Sequence, residues 1–107
     1  MISRELTAAS TEPLILAILQ RSENYGYAIA EKVRTLSQGE IEWTEGMLYP
    51  VLHRLQTRGL VQSRWETIEG GRKRRYYSLT VKGREALEAR RREWQTVHET
   101  LTEAWGV

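Results

Sequence analysis

Four consecutive cations, Arg72 to Arg75, follow a glycine pair and precede two tyrosines in the stretch EGGRKRRYYSLTVKG, which runs from Glu69 to Gly83. Lys and Arg side chains neutralise the phosphates of nucleic acids and release bound counterions, which gives affinity for any base sequence. Binding a polyanion would also relieve the repulsion between adjacent cations. The alternative is a solvated turn whose charges keep an edge strand from pairing with other chains. The rest of the sequence favours a nucleic-acid interface.

The chain offers little for catalysis or for a metal site. Its two histidines, His53 and His98, have no carboxylate pattern around them, and there is no serine nucleophile, phosphate-loop or dinucleotide-binding motif. The absence of cysteine excludes disulfides, thiolate metal sites and cysteine nucleophiles. We therefore expect neither an enzyme nor a bound cofactor or metal.

Composition and charge predict a single small domain in the cytoplasm. The 107 residues suffice for one domain, and nine of the sixteen Lys and Arg residues lie between Arg72 and Arg92. The longest apolar run, Pro13 to Leu19, is far shorter than the roughly 20 residues that span a bilayer. The N-terminus lacks the apolar core of a signal peptide. We expect no membrane partner.

Hydrophobic spacing predicts three helices, a β-hairpin and a long final helix. The first helix is expected over Thr11–Gln20 with Thr11 as its cap, and the second over Tyr27–Leu36. The third is expected from the N-cap Thr44 to about Arg58. Alternating residues from Val61 to Thr67, and again in RRYYSLT with Tyr77 and Leu79 on the core face, indicate the hairpin. Thr80 then caps a helix that reaches Trp105.

This order of elements is typical of a winged helix-turn-helix, a DNA-binding fold. The predicted fold class is mainly α with a small β-hairpin. We place the DNA-binding domain at residues 1–80 and a C-terminal dimerisation helix at 81–107, as one compact unit. Some winged helices bind only proteins, so a protein-interaction module without specific DNA binding is the alternative.

The third helix has one apolar and one polar face. At 100° per residue the core stripe comprises Leu48, Val51, Leu52 and Leu55. The opposite face carries small, aromatic and basic side chains, namely Gly46, Pro50, His53, Arg54 and Thr57, with Tyr49 on its flank. Such a face is suited to reading a DNA groove, since a merely structural helix usually carries Glu and Lys there.

Two residues of the third helix oppose this simple interpretation. Glu45 would repel phosphate unless it accepts a hydrogen bond from a cytosine amine. Pro50 should cost a backbone hydrogen bond, unless the helix starts later than Thr44 or has an irregular first turn.

Nearly the whole chain, from about Thr11 to Trp105, resembles PadR-type transcriptional regulators, in particular their small subfamily. The resemblance rests on the segments EPLILAIL, YGYAIAEKV, EGMLYPVLHRLQTRGLV and GGRKRRYYSLTVKGREAL. It implies a homodimeric repressor that binds inverted-repeat operators in double-stranded DNA. Met47 departs from the family, whose members often have Thr or Ser there, and so lacks a hydroxyl that could contact DNA.

The resemblance and the helix geometry together give the predicted DNA contacts. In the recognition helix these are Thr44, Gly46, Met47, Tyr49, His53 and Arg54. In the wing, which is the hairpin and its tip, they are Gly70, Gly71, Arg72, Lys73 and Arg74. Tyr76 remains open as either a packing residue or a contact.

The final helix predicts a dimer interface. Leu87, Trp94 and Leu101 are seven residues apart, and Val97 lies on the adjacent line of this heptad-like seam. The predicted interface residues are Leu87, Trp94, Val97, Leu101 and Trp105, with the first helix beside them. The resemblance implies that Trp94 lines a pore between subunits where a planar aromatic or phenolic inducer stacks. The alternative, which we favour, is a Trp that simply anchors the dimer.

Overall fold

The computed structural model describes residues 1–106, so Val107 of the predicted C-terminal segment lies outside the described residues. The helices and strands occur in the order α1 Arg4–Arg21, β1 Asn24–Tyr25, α2 Gly26–Leu36, α3 Glu45–Thr57, β2 Val61–Thr67, β3 Lys73–Leu79 and α4 Val81–Ala104. Three helices followed by a β-hairpin and a long helix form a winged helix-turn-helix. The predicted fold class is confirmed.

Helix α1 begins about two turns before the predicted start. Ser3 is its N-cap, and Thr11, the predicted cap, lies buried inside the helix. The hydroxyl of Thr11 donates to the backbone carbonyl of Thr7 at 2.6 Å, so it is satisfied within the helix. Pro13 accordingly lies in the helix interior, where it costs a backbone hydrogen bond. The predicted start was wrong because a proline favours the first turn of a helix, which would place the cap at Thr11, whereas Pro13 lies well inside α1.

The core lies between the first three helices and the inner side of the sheet. The predicted α3 stripe is confirmed, and Tyr77 and Leu79 are buried as expected. The most deeply buried side chains are Ile15, Leu16, Ile29, Leu48, Leu52, Leu55, Val33 and Val61. Leu36 is 62% exposed, because α2 ends there, beyond the core.

Helix α3 starts where the sequence predicted. The hydroxyl of Thr44 accepts from the backbone N–H of Met47 at 3.2 Å, which caps the first turn. Pro50 lies inside the helix, so the carbonyl of Gly46 has no helical N–H partner. The phenol of Tyr49 covers Gly26 at the start of α2; a Cβ on Gly26 would lie 2.8 Å from the Tyr49 hydroxyl.

The sheet is antiparallel in the order β1-β3-β2. The hairpin of β2 and β3 was predicted, but β1 was not, because two residues are too short to show an alternating pattern. A tight turn at Glu69–Gly71 joins β2 to β3, and Gly70 and Gly71 have φ angles of 84° and 79° there. Those angles favour glycine, which explains the glycine pair at the tip.

Helix α4 is held to the core through its N-terminal half. The hydroxyl of Thr80 accepts from the backbone N–H of Gly83 at 3.0 Å, as the sequence predicted. Leu87 is the last buried residue of α4, and every residue from Arg91 to Gly106 is exposed. The C-terminal half of α4 therefore extends away from the core of its own chain.

Candidate nucleic-acid interface

The predicted recognition face of α3 points away from the core. Gly46, Met47, Tyr49, His53 and Arg54 are all exposed, with Met47 at 41% and Tyr49 at 42%. Their exposure follows from the burial of the four-residue apolar stripe on the opposite side of the helix. Thr44 is exposed too, but its hydroxyl already caps the helix.

The four consecutive cations of the wing separate into two pairs. Arg72 and Lys73 are exposed at the tip and form no ion pair with a carboxylate of residues 1–106. Arg74 and Arg75 are partly buried and contact neighbouring side chains. Within the described residues, the first pair is therefore the one that can offer its charged groups to a polyanion.

Arg75 connects the wing to the end of the recognition helix. Its guanidinium donates to the hydroxyl of Ser63 at 2.9 Å and to the side-chain carbonyl of Gln56 at 3.1 Å. It also lies 5.5 Å from the ring centre of Trp65 and 5.6 Å from that of Tyr77. Sequence reasoning missed this role, although the alternation of Arg75 with Tyr77 and Leu79 placed all three on one side of β3.

Arg74 and Tyr76 lie on the other side of β3. The guanidinium carbon of Arg74 is 3.9 Å from the ring centre of Tyr25, and the rings of Tyr25 and Tyr76 meet edge to face at 5.5 Å. Tyr76 therefore packs against β1. It also lies beneath the guanidinium of Arg64, at 5.0 Å.

An open groove of about 750 Å³ separates the N-terminal end of α3 from the wing. Its lining includes all four wing cations and the aromatic residues Tyr25, Tyr27, Tyr49, Trp65 and Tyr77. Burial raises the pKa of Tyr77, which keeps its phenol neutral. Glu45 is the one carboxylate among the lining residues that the structure describes. The groove is thus cationic and aromatic.

A second groove, of about 920 Å³, lies between α1 and α4. Its apolar lining includes Leu6, Leu14, Leu87 and Trp94. Of the residues predicted at a dimer interface, Leu87 is only 6% exposed and packs into the core of its own chain. The other four are accessible: Trp94 is 36% exposed, Val97 48%, Leu101 43% and Trp105 68%.

Residues 15–89 match the transcriptional regulator PadR-like family. That match covers well over half of the chain. The chain belongs to the PadR-like family. The predicted resemblance is thus confirmed, and the family is one of transcription regulators rather than enzymes.

Solved PadR structures share the fold. A PadR-like regulator from Bacillus cereus is 30% identical, with 96% of this chain and 98% of that chain covered and a TM-score of 0.83. A PadR family regulator from Clostridium difficile is 32% identical, with 91% of this chain and 99% of that chain covered and a TM-score of 0.79.

A relative is also found by sequence. The transcriptional regulator YqjI of Escherichia coli is 34% identical over 88 residues, 82% of this chain. The chain spans only 41% of the length of that relative.

PadR membership fits the remaining surface features. A DNA-binding regulator needs a recognition face beside a positive wing, and α3 and the wing tip provide both. No helix within residues 1–106 is long and apolar enough to cross a membrane. In the same range, no group of His, Asp and Glu residues is arranged to hold a metal ion.

Proposed function

We propose that this PadR-like protein is a homodimeric repressor that binds inverted-repeat operators in cytoplasmic DNA. The observation that carries the proposal is the groove between α3 and the wing, with the exposed cations Arg72 and Lys73 at its edge. A DNA strand fits this groove when α3 enters the major groove and the wing lies over the neighbouring backbone or minor groove.

The recognition face supplies two kinds of contact with bases. Arg54 can donate two hydrogen bonds to a guanine, and Tyr49 and His53 can hydrogen-bond to base edges. Gly46 and Met47 present apolar surface that suits a thymine methyl group and lets the helix approach closely. At the wing, Gly70 and Gly71 shape the tip, while the exposed cations Arg72 and Lys73 contact phosphates.

Dimerisation is supported by the exposed apolar stripe of α4. Trp94, Val97, Leu101 and Trp105 recur at helical spacing on a helix half that its own chain leaves exposed. Two copies related by a two-fold axis would cover this stripe with α1 beside it. Their recognition helices would then face two half-sites of opposite direction, which is an inverted repeat.

The groove between α1 and α4 is the proposed inducer site. Its apolar lining and the accessible indole of Trp94 suit a planar aromatic or phenolic molecule. Such a molecule would release the operator only if it binds the DNA-free form more tightly than the DNA-bound form. A Trp that merely anchors the dimer is the alternative role.

The test is fluorescence anisotropy with labelled duplexes at low and moderate salt. One duplex carries the DNA upstream of the protein's own gene, and the other carries the same bases in scrambled order. Tight, salt-dependent binding that prefers the upstream duplex would support a specific regulator. Equal binding to both would leave a basic DNA-coating protein. Failure to bind either duplex would favour the protein-binding winged helix instead.

A further inference from the structure

A row of side chains crosses the outer face of the three-stranded sheet. Tyr25 of β1 is paired in register with Tyr76 of β3, and Tyr76 is paired with Arg64 of β2. These three side chains therefore lie side by side across all three strands. The edge-to-face contact of the two rings and the cation over Tyr76 are both favourable geometries.

Charged groups close both ends of this row. At the β1 end, the guanidinium of Arg74 stacks on Tyr25 at 3.9 Å, diagonally across the strand pair. At the β2 end, Arg64 forms an ion pair with Glu23, the residue that precedes β1, and donates to Glu66 at 3.2 Å. The bond from Arg64 lowers the pKa of Glu23, so the carboxylate stays ionised. We call Glu23, Tyr25, Arg64, Arg74 and Tyr76 the wing clamp.

The wing clamp adds side-chain contacts to a very short strand. Strand β1 contributes only two residue pairs to the sheet, so its backbone hydrogen bonds are few. Helix α2 starts at the very next residue, Gly26, and Tyr49 of α3 packs on that glycine. Beside the bonds of Arg75 and the buried side chains of the hairpin, β1 and its side-chain contacts are therefore a further link between the wing and both helices of the helix-turn-helix.

We propose that the wing clamp sets the position of the wing against the recognition helix, and that Arg74 is a positioning residue acting through Tyr25 rather than a phosphate contact. Phosphate neutralisation at the wing then falls to Arg72 and Lys73, which are exposed and unpaired within residues 1–106. This inference rests on the proposed function, because it assigns roles within DNA binding. It also divides residues that are adjacent in sequence into two physical roles.

The experiment measures DNA affinity of the full chain against salt concentration, using the labelled upstream and scrambled duplexes. The variants are Tyr25→Leu, Arg74→Met, their double combination, Tyr25→Phe and Lys73→Ala. Tyr25→Leu removes the ring without changing any charge, whereas Tyr25→Phe keeps the ring. Lys73→Ala is the matched control, since it removes a neighbouring charge outside the wing clamp.

The wing clamp predicts that Tyr25→Leu, Arg74→Met and the double variant weaken binding to both duplexes by a similar factor, about tenfold. The double variant is no weaker than either single one, because both changes break the same interaction. The salt slope is the steepness with which the logarithm of the binding constant falls with the logarithm of salt concentration. It stays at the wild-type value in these three variants. Tyr25→Phe binds like wild type and also keeps the wild-type slope. Lys73→Ala lowers the slope by about 0.9 for each phosphate that the lysine neutralises in the wild-type complex.

Two results would overturn the assignment. One is an Arg74→Met variant whose salt slope falls as far as that of Lys73→Ala, since Arg74 would then be a phosphate contact. The other is a double variant whose loss of affinity is the product of the two single losses. If Tyr25→Leu does not fold, as judged by circular dichroism, the slope of Arg74→Met alone decides the question.

Amide hydrogen exchange tests the wing clamp without any DNA. Arg74→Met should speed exchange of the backbone amides of β1 while the amides of α3 and of the β2–β3 hairpin keep their protection. Unchanged exchange in β1 would refute the wing clamp even if the protein bound DNA. Conversely, a wild-type protein that binds neither duplex would refute the proposed function, and the exchange result would still stand.

Discussion

Replacing Gly83 by alanine should destabilise the protein, because α4 packs directly on the backbone of another element at this point. A Cβ on Gly83 would lie 2.0 Å from the carbonyl oxygen of Leu60 and 3.1 Å from a methyl group of Leu79. The Leu60 carbonyl also accepts from the backbone N–H of Thr80 at 3.2 Å, so it cannot move freely. Either α4 shifts outward as a unit, or the start of β2 moves and that hydrogen bond weakens.

Two opposing terms give the size of the effect. Forcing extra methyl groups into a packed site costs about 1–3 kcal/mol, and a clash with backbone belongs at the upper end of that range. Alanine in a helix gains roughly 0.5–1 kcal/mol over glycine. We therefore expect Gly83→Ala to lower the free energy of unfolding by about 2 kcal/mol, which corresponds to a fall in Tm of roughly 10 °C for a chain of this size.

The assay is urea unfolding followed by circular dichroism, at one fixed protein concentration because association alters apparent stability. Gly46→Ala is the matched control. Gly46 also lies in a helix, but a Cβ there would meet only the Thr44 hydroxyl, at 3.8 Å. The control should be as stable as wild type or slightly more stable. A Gly83→Ala variant as stable as the Gly46→Ala control would refute the close packing of α4 on β2.

Four further predictions test other parts of the molecule. Pro50→Ala should raise the free energy of unfolding by about 1–3 kcal/mol in the same assay, since it restores a helical hydrogen bond at an exposed position; a loss of stability would contradict this. Leu101→Glu should disrupt the proposed dimer, because it would bury a charge at the α4 interface; light scattering should find a dimer for wild type and a monomer for the variant, and a dimer for both would rule out that interface. Because Arg64 holds the pKa of Glu23 below its ordinary 4.5, this ion pair should stabilise the fold above that pH and lose its effect as the pH falls through the lowered pKa. Urea unfolding should therefore separate wild type from Glu23→Gln at neutral pH, and the difference should shrink as the pH falls below that value; equal stability at neutral pH would exclude the contribution. Replacing Arg72 and Lys73 together by Ala should lower the salt slope of a dimer by about 3.6, and an unchanged slope would exclude the wing tip from the DNA interface.

Local chemistry made most of the fold predictable from the sequence. Thr44 and Thr80 each precede a helix with the hydroxyl that caps it, and both caps are present. The apolar stripe of α3 has a period that only a helix satisfies. By contrast, the start of α1 was misplaced. Proline prefers the first turn of a helix, but Pro13 lies inside α1. Strand β1 was missed because two residues form a strand only through their partner β3, which lies far along the chain.

The wing shows why a candidate site is harder to predict than the elements that carry it. In sequence the four cations look alike, and three of them, Arg72, Lys73 and Arg74, are predicted to contact DNA. In the folded chain they alternate in direction along β3, so Arg75 turns towards Gln56 and Trp65 while Arg74 turns towards Tyr25. Both find partners that lie far away in the sequence, and of the four wing cations only Arg72 and Lys73, nearest the turn, have no such partner within residues 1–106. A charge run at a strand end therefore marks a candidate polyanion site but overestimates the number of contacts, because part of the charge holds the strand in place.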